Sequence, residues 1–265
     1  MSMDDRQRQW LQSDPWAHLA STTPARIALG RCGVSVPTGE TLRFALAHAQ
    51  ARDAVHAPMA VDDIAQALRA QGFDSIRVQS QAVSRDVYLQ RPDLGRRLDA
   101  DSLARLQASA SEPDELVFAV GDGLSALAVD RHAVPLLALA RPLLEAQGWR
   151  IGPVVLASLA RVALGDEIGA ALKARAVVVL IGERPGLSSP DSMGLYLTYA
   201  PRPGRRDAER NCISNVRPAG LALPLAARKL AWMLDRAREL GCSGVALKDE
   251  SDAILPASPG MLADI

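Results

Sequence analysis

Aromatic side chains are scarce. Three phenylalanines and three tyrosines serve 265 residues, too few stacking platforms for a groove that binds single-stranded nucleic acid. Neither sign of charge is in excess, since Lys+Arg and Asp+Glu both number 30, so no global field draws in nucleic acid or anionic lipid. Cysteine is limited to Cys32, Cys212 and Cys242. An odd number with no CxxC or Cys/His spacing excludes a disulfide framework and a structural zinc site, and fits reduced thiols. His18, His48, His56 and His132 form no HxxxH or HxH pair that would signal a metal. No run approaches the roughly 18 apolar residues of a membrane helix. The N-terminal "MSMDDRQRQWLQSDPW" lacks the apolar centre of a signal peptide, so the expectation is a cytoplasmic chain.

What is present is enough apolar material for a real core. A hydrophobic content of 48% over 265 residues suits one large or two modest domains. The first part reads as mostly helical. "TGETLRFALAHAQARDAV" opens at Thr38, a candidate N-cap, and "VDDIAQALRAQG" sets Val61, Ile64, Ala65 and Leu68 on one face before stopping at Gly72. "SIRVQS" alternates like a half-buried strand, and Pro92 and Gly95 then interrupt regular structure.

Beyond residue 110 the pattern changes to strands alternating with helices. "ELVFAVGDGLS", "IGPVVLASLA" and "AVVVLIG" read as buried strands, with a helix over "GDEIGAALKA". "LYLTYA" makes a fourth strand, "PLAARKLAWMLDRARELG" a long amphipathic helix, "SGVALK" a final strand, and the tail after Lys248 a peripheral segment. The fold expected is α/β: a Rossmann-like, mostly parallel sheet over 111–265, preceded by a helical N-terminal segment over 1–110.

In an open parallel sheet, ligands bind beyond the carboxyl ends of the strands. The loops after Val120, Ser158, Ile181 and Ala200 are therefore expected on one rim, carrying Asp122, Glu183, Arg184 and the loop "RRDAERNCISNVRP" around Cys212. "VGDGLS" is neither GxGxxG nor a P-loop, and Asp122 would repel a phosphate, so it reads as a tight strand-to-helix turn. Cys212 has no catalytic-cysteine motif around it and reads as a lining residue. Glu183 and Arg184 leave two readings open. They pair with neighbours at a solvated rim, or, fixed by the Pro185–Gly186 turn, they hydrogen-bond a large polar ligand that carries amides.

A set of longer motifs goes further. "YLQRPDLGRR" at 88–97, "DGLS" at 122–125, "GERPGL" at 182–187 and "CISNVRP" at 212–218, in this order, resemble the small subunit of ethanolamine ammonia-lyase. The similarity runs from "ARIALGR" at Ala25 to near residue 247. The resemblance implies an enzyme that uses adenosylcobalamin to convert ethanolamine to acetaldehyde and ammonia by a radical rearrangement. It also implies a TIM-barrel large subunit that holds ethanolamine, with the Rossmann-type small subunit closing over the cobalamin at their interface. The cofactor contacts it implies fall on Val162, Glu183 and Cys212, with no catalytic residue on this chain and no activity without its partner.

Two details refine what the resemblance implies. The nearest match to the DxHxxG motif of histidine-ligated cobalamin is "DRHAVP", with Pro135 in the glycine position, so His132 reads as structural and the cofactor as base-on. Several family members carry a longer N-terminal extension that addresses the enzyme to a bacterial microcompartment. Here few residues precede Ala25, and a free cytoplasmic enzyme is expected. Two other readings stand beside this one. The first is a freestanding α/β hydrolase or transferase with a metal on Asp122, Asp166 and Asp191; the second is an interaction module whose N-terminal helices dock a partner.

Overall fold

The structure is a computed structural model and describes residues 10–110 and 116–251. Contacts divide the chain into two compact units, 1–53 with 185–190, and 54–184 with 191–265. The expected boundary at 110/111 and nearly all of the tail after Lys248 fall at or within stretches outside the described residues.

In the first unit, β1 (Leu11–Gln12) pairs antiparallel with β2 (Arg31–Cys32). Helix α1 (Thr38–His56) begins at Thr38, as its sequence suggests, and runs on into the second unit. The guanidinium of Arg26 donates through Nη2 to the carbonyl of Leu187 at 3.3 Å, tying 185–190 to the N-terminal segment.

The second unit is built on a six-stranded sheet. In chain order its elements are α2 (Val61–Ala70), β3 (Ser75–Gln79), α3 (Arg85–Gln90), α4 (Ala100–Ser109), β4 (Leu116–Gly121), α5 (Ala126–Ala146), β5 (Val154–Ser158), α6 (Leu164–Ala171), β6 (Ala176–Gly182), β7 (Met193–Tyr199), β8 (Asn211–Val216) and α7 (Leu223–Leu240). The spatial order is β3-β5-β4-β6-β7-β8. Strands β3, β5, β4 and β6 are parallel, β7 is antiparallel to β6, and β8 is antiparallel to β7. Five strands thus share one direction and β7 alone opposes them.

Period-two alternation decides which helix covers which face. Leu116, Phe118 and Val120 of β4 pack with α5 and α7, whereas Val117 and Ala119 pack with Leu164 and Ile168 of α6. Both faces of β4 and β6 are therefore buried, which explains their continuous apolar runs. On β7 and β8 the faces are unequal. Met193, Leu195, Leu197, Ile213 and Val216 sit under α5 and α7, while Gly194, Tyr196 and Cys212 point to the side of α6. Helix α6 has only 8 residues, and Cys212 is left exposed. That half of the sheet is a shelf open to solvent.

Three expectations are corrected. "SGVALK" is a 3-10 turn, Gly244–Ala246, and not a strand. Gly244 holds φ +86, and its N–H and carbonyl both bond the side chain of Asn211, so its backbone is taken up away from any ladder. The stretch around Cys212 is not a loop but β8, whose Asn and Ser content masks an edge strand. The loop after Ala200 is not on the common rim. Tyr199 registers with Ala176, at the start of β6, so an antiparallel β7 carries it to the opposite end of the sheet. "SIRVQS" is a strand, as expected, but it forms one edge of the main sheet rather than part of a helical segment.

Candidate functional site

Where the chain winds out of β4 onto one face and out of β5 onto the other, a crevice opens beyond the strand ends, the usual ligand seat of this fold. Here the backbone of the loop is bonded within the protein, and what stays open is a cavity of about 270 Å³ beside Asp122, lined by Met59, Arg85 and Ser158 among others. Asp122, buried, accepts from the backbone N–H of Ala160 at 2.9 Å and of Leu159 at 3.0 Å, and pairs with Arg85 Nη1 at 3.2 Å. The loop carbonyls are taken too, Leu159 by Ser80 Oγ at 2.7 Å and Ala160 by the Tyr88 hydroxyl at 3.0 Å. Burial raises the Asp122 pKa above the ordinary carboxylate range, against the lowering effect of the amides and Arg85. Two loop amides that could otherwise face a ligand are spent on an internal carboxylate. The glycine turn is as tight as "VGDGLS" suggests. Gly123 holds φ +54, and a Cβ there would lie 2.2 Å from the Gly182 carbonyl.

The shelf is built differently. A cleft of about 410 Å³ runs along the end of β6 and is lined by Tyr88, Leu124, Val162, Glu183, Arg184 and Tyr196, among others. A second lobe of about 270 Å³ is lined by Arg96, Val162, Asp207, Arg210 and Cys212, among others. The two share Arg161, Val162 and Tyr196 as a common wall. Val162, Glu183 and Cys212, picked from different parts of the sequence, thus come together on one surface.

Each is placed by an identifiable local cause. Glu183 follows β6 directly, and its Oε2 accepts from Ser192 Oγ and from the N–H of Asn215 at 3.2 Å. The second bond depends on a bulge. Met193 pairs with Val216 but Leu195 with Ile213, so two residues of β8 face Gly194, and Asn215 takes φ +57. Gly194 itself makes room, since a Cβ there would meet the Tyr196 ring at 2.9 Å and Glu183 Oε1 at 3.0 Å. The Oε1 atom has no hydrogen-bond partner among the described residues. Cys212 registers opposite Tyr196 on the neighbouring strand. Burial of the sulfur and the charge of Glu183 hold the Cys212 thiol above its usual pKa, against the lowering effect of Tyr196. Burial likewise raises the Tyr196 hydroxyl, so at neutral pH both groups keep their protons.

Sequence reasoning missed Tyr88, Arg161 and Tyr196. The Tyr88 ring is fully buried with the guanidinium of Arg161 4.2 Å and that of Arg85 4.7 Å from its centroid. Arg161 donates through Nη2 to the Tyr88 carbonyl at 3.2 Å, while its buried Nε has no partner. The signal for Tyr88 lay in "YLQRPDLGRR", which supplies Tyr88, Pro92 and Arg96 to the shelf. Arg184 lies at the mouth, exposed.

The carboxylates proposed for a metal do not converge. Asp122 is held by Arg85, Asp166 by Arg210 at 2.6 Å, and Asp191 by Arg131 at 3.2 Å. No group of three metal-ligating side chains occurs among the described residues. His132 is buried inside α5 with Nε2 3.5 Å from Asp191, and burial lowers its pKa against the raising effect of that carboxylate. Its neighbour Asp130 accepts from the N–H of Ala60 at 3.1 Å, so "DRHAVP" is a packing segment. No helix among the described residues is long and apolar enough to cross a membrane.

The profile of a family described as ethanolamine ammonia-lyase light chain (EutC) matches residues 13–248. The chain belongs to the ethanolamine ammonia-lyase light-chain family. It is 54% identical over 242 residues to the ethanolamine ammonia-lyase small subunit of Azotobacter vinelandii, covering 90% of each chain. It is 56% identical over 238 residues to that of Bradyrhizobium diazoefficiens, covering 89% of this chain and 91% of the other. With that of Ralstonia nicotianae it shares 54% over 245 residues, 91% of each. As a light chain it is one subunit of a carbon–nitrogen lyase, and the description small subunit implies a larger partner.

Proposed function

We propose that the shelf contacts the perimeter of a base-on adenosylcobalamin at the interface with a TIM-barrel large subunit, in a complex that converts ethanolamine to acetaldehyde and ammonia by a radical mechanism. The observation that carries this reading is the convergence of Val162, Glu183 and Cys212 on two clefts with a common wall. These are the positions where the family resemblance implied cofactor contacts.

The residues suit such a group chemically. The corrin rim bears amides, which need both acceptors and donors. Glu183 offers the unpartnered Oε1, with its rotamer fixed through Oε2 by Ser192 and Asn215. Arg161, on the common wall, holds its guanidinium stacked on Tyr88 with no carboxylate partner among the described residues. Tyr196 keeps its proton and can donate. Val162 and Leu124 supply apolar contact and keep water off the wall. Cys212, held as a neutral thiol, is a compact neighbour and not a nucleophile.

When bound, adenosylcobalamin supplies the radical from its cobalt–carbon bond. The work of this chain is to bind, orient and exclude solvent, while the large subunit holds the substrate. With His132 buried inside α5 beside Asp191, no histidine of the cobalamin-ligating motif is offered as a lower ligand.

The test is expression of this chain with and without a large subunit, followed by measurement of adenosylcobalamin-dependent acetaldehyde formation. Activity is expected only from the pair. Full activity from this chain alone, or a pair that neither co-purifies nor needs cobalamin, would overturn the reading. Electron paramagnetic resonance of Co(II) cobalamin in the complex should show the nitrogen of the cofactor's own base; a protein histidine nitrogen would contradict the base-on form.

A further inference from the structure

The two lobes of the shelf differ in charge, and the difference has a use. Beyond the shared wall, the larger lobe sets Glu183 beside the exposed Arg184, with Gly123, Leu124, Ile181 and Gly182 around them. The smaller lobe sets three arginines, Arg96, Arg161 and Arg210, against one carboxylate, Asp207. Of these, Arg210 is consumed by the protein. Its Nη1 bonds Asp166 at 2.6 Å and Thr198 at 3.3 Å, its Nε bonds Asp207 at 3.3 Å, and its Nη2 bonds the Arg205 carbonyl at 2.8 Å. Arg161 is stacked on Tyr88 and has no carboxylate partner. Arg96 is exposed, with no side-chain hydrogen bond or ion pair among the described residues. It also borders an adjoining cavity of about 250 Å³, where the other charges are already matched: Arg97 with Glu167, Asp166 with Arg210, and Arg205 with Glu209.

Two guanidinium groups without counter-charges in one concave lobe make a seat for an anion. A guanidinium grips phosphate oxygens in a planar, two-pronged way, and the gain is larger in a partly enclosed site than in open water. We infer that this lobe receives the phosphodiester of the cofactor's nucleotide tail, with Arg96 as its free ligand, an inference that rests on the function proposed above. Cobalamin carries neutral amides around the macrocycle and one permanently ionised phosphodiester on the tail. The shelf carries the matching contrast, with an acceptor under Glu183 and uncompensated positive charge at Arg96. This polarity orients the cofactor on the light chain.

The experiment compares two corrinoids on the assembled complex with its large subunit. Cyanocobalamin has the phosphodiester and nucleotide; dicyanocobinamide lacks both. Binding is followed by equilibrium dialysis, which needs no turnover. Arg96→Ala should weaken cyanocobalamin by about tenfold, the loss of one charge-assisted contact, and leave dicyanocobinamide unchanged. Arg96→Lys should restore part of the loss, and raised salt should weaken cyanocobalamin more in wild type than in Arg96→Ala. Inorganic phosphate should compete with cyanocobalamin alone. Equal losses for both corrinoids, or no loss for either, would overturn the inference while leaving the shelf as the cofactor site. Phosphate that binds equally well beside bound cyanocobalamin would assign the lobe to a free anion instead. A wild-type complex that binds neither corrinoid would overturn the proposed function itself.

Discussion

The crevice between β4 and β5 and the shelf on β7 and β8 lie on one sheet and have opposite fates. In the crevice, each donor and acceptor of the Leu159–Ala160 backbone has an internal partner, and the Asp122 carboxylate occupies the place of a ligand. On the shelf, Glu183 Oε1 and the Arg96 side chain have no partners among the described residues, where the short α6 is the helix on that face. The lesson is that the backbone of the fold's customary site can be taken up by a single buried carboxylate, while an open cleft remains beside it, lined by the loops after β4, β5 and β6 and reaching onto β7 and β8.

The comparison can be broken at its strongest point first. Asp122→Ala would strand two backbone N–H groups and the Arg85 guanidinium in a buried place. It should lower unfolding stability by about 3–5 kcal/mol, measured by chemical denaturation, with Asp122→Asn costing less because one acceptor oxygen remains. A loss of well under 1 kcal/mol for the alanine variant would mean that the crevice loop is not held by Asp122.

On the shelf the effect should move from stability to binding. Glu183→Ala should weaken cobalamin binding to the assembled complex by roughly 1–3 kcal/mol, the range for stranded hydrogen-bonding partners. Its unfolding curve should change much less than that of Asp122→Ala. Gly194→Ala tests how Glu183 is placed. The added methyl would crowd Oε1 and the Tyr196 ring, so corrinoid affinity should fall by about 1 kcal/mol, within the ordinary range for overpacking. Unchanged affinity would show that the carboxylate has room to move aside.

The smallest effect concerns the thiols. With burial of the sulfur and Glu183 raising the Cys212 pKa, less thiolate is present at any pH below it, so iodoacetamide at pH 8 should modify Cys212 more slowly than Cys32, although both residues are exposed. The gap should narrow as pH rises through the ordinary thiol range and beyond. Mass spectrometry of the alkylated peptides gives both rates, and a faster Cys212 would contradict its role as a neutral lining group.

How much of this was legible in the sequence depended on burial. Strands β4, β5 and β6 could be read from unbroken apolar runs, because both faces of each are covered. The Glu183 rim followed from the end of β6. The direction of β7 could not be read, since a reversed strand has the same alternation as a parallel one, and its reversal sends Ala200 to the far end of the sheet. The pairing of Tyr196 with Cys212 was hidden for that reason. Strand β8 was obscured by the polar residues of an exposed edge, and "SGVALK" looked like a strand because the positive φ of Gly244 leaves no trace in an apolar pattern. Arg161 stands next to Val162, and its stacking on Tyr88, far away in the chain, leaves no mark in the local sequence.

The account turns on where the cofactor sits, and one pair of variants separates the two seats. Ser158 lines the cavity beside Asp122 at the crevice, so Ser158→Val narrows that seat and removes its hydroxyl, whereas Glu183→Ala removes the carboxylate acceptor from the shelf. Cobalamin dissociation constants of the assembled complex, measured by equilibrium dialysis for both variants, should show Glu183→Ala weakened and Ser158→Val at the wild-type value. The opposite pattern, a weakened Ser158→Val with an unaltered Glu183→Ala, would place the cofactor in the crevice and contradict the account.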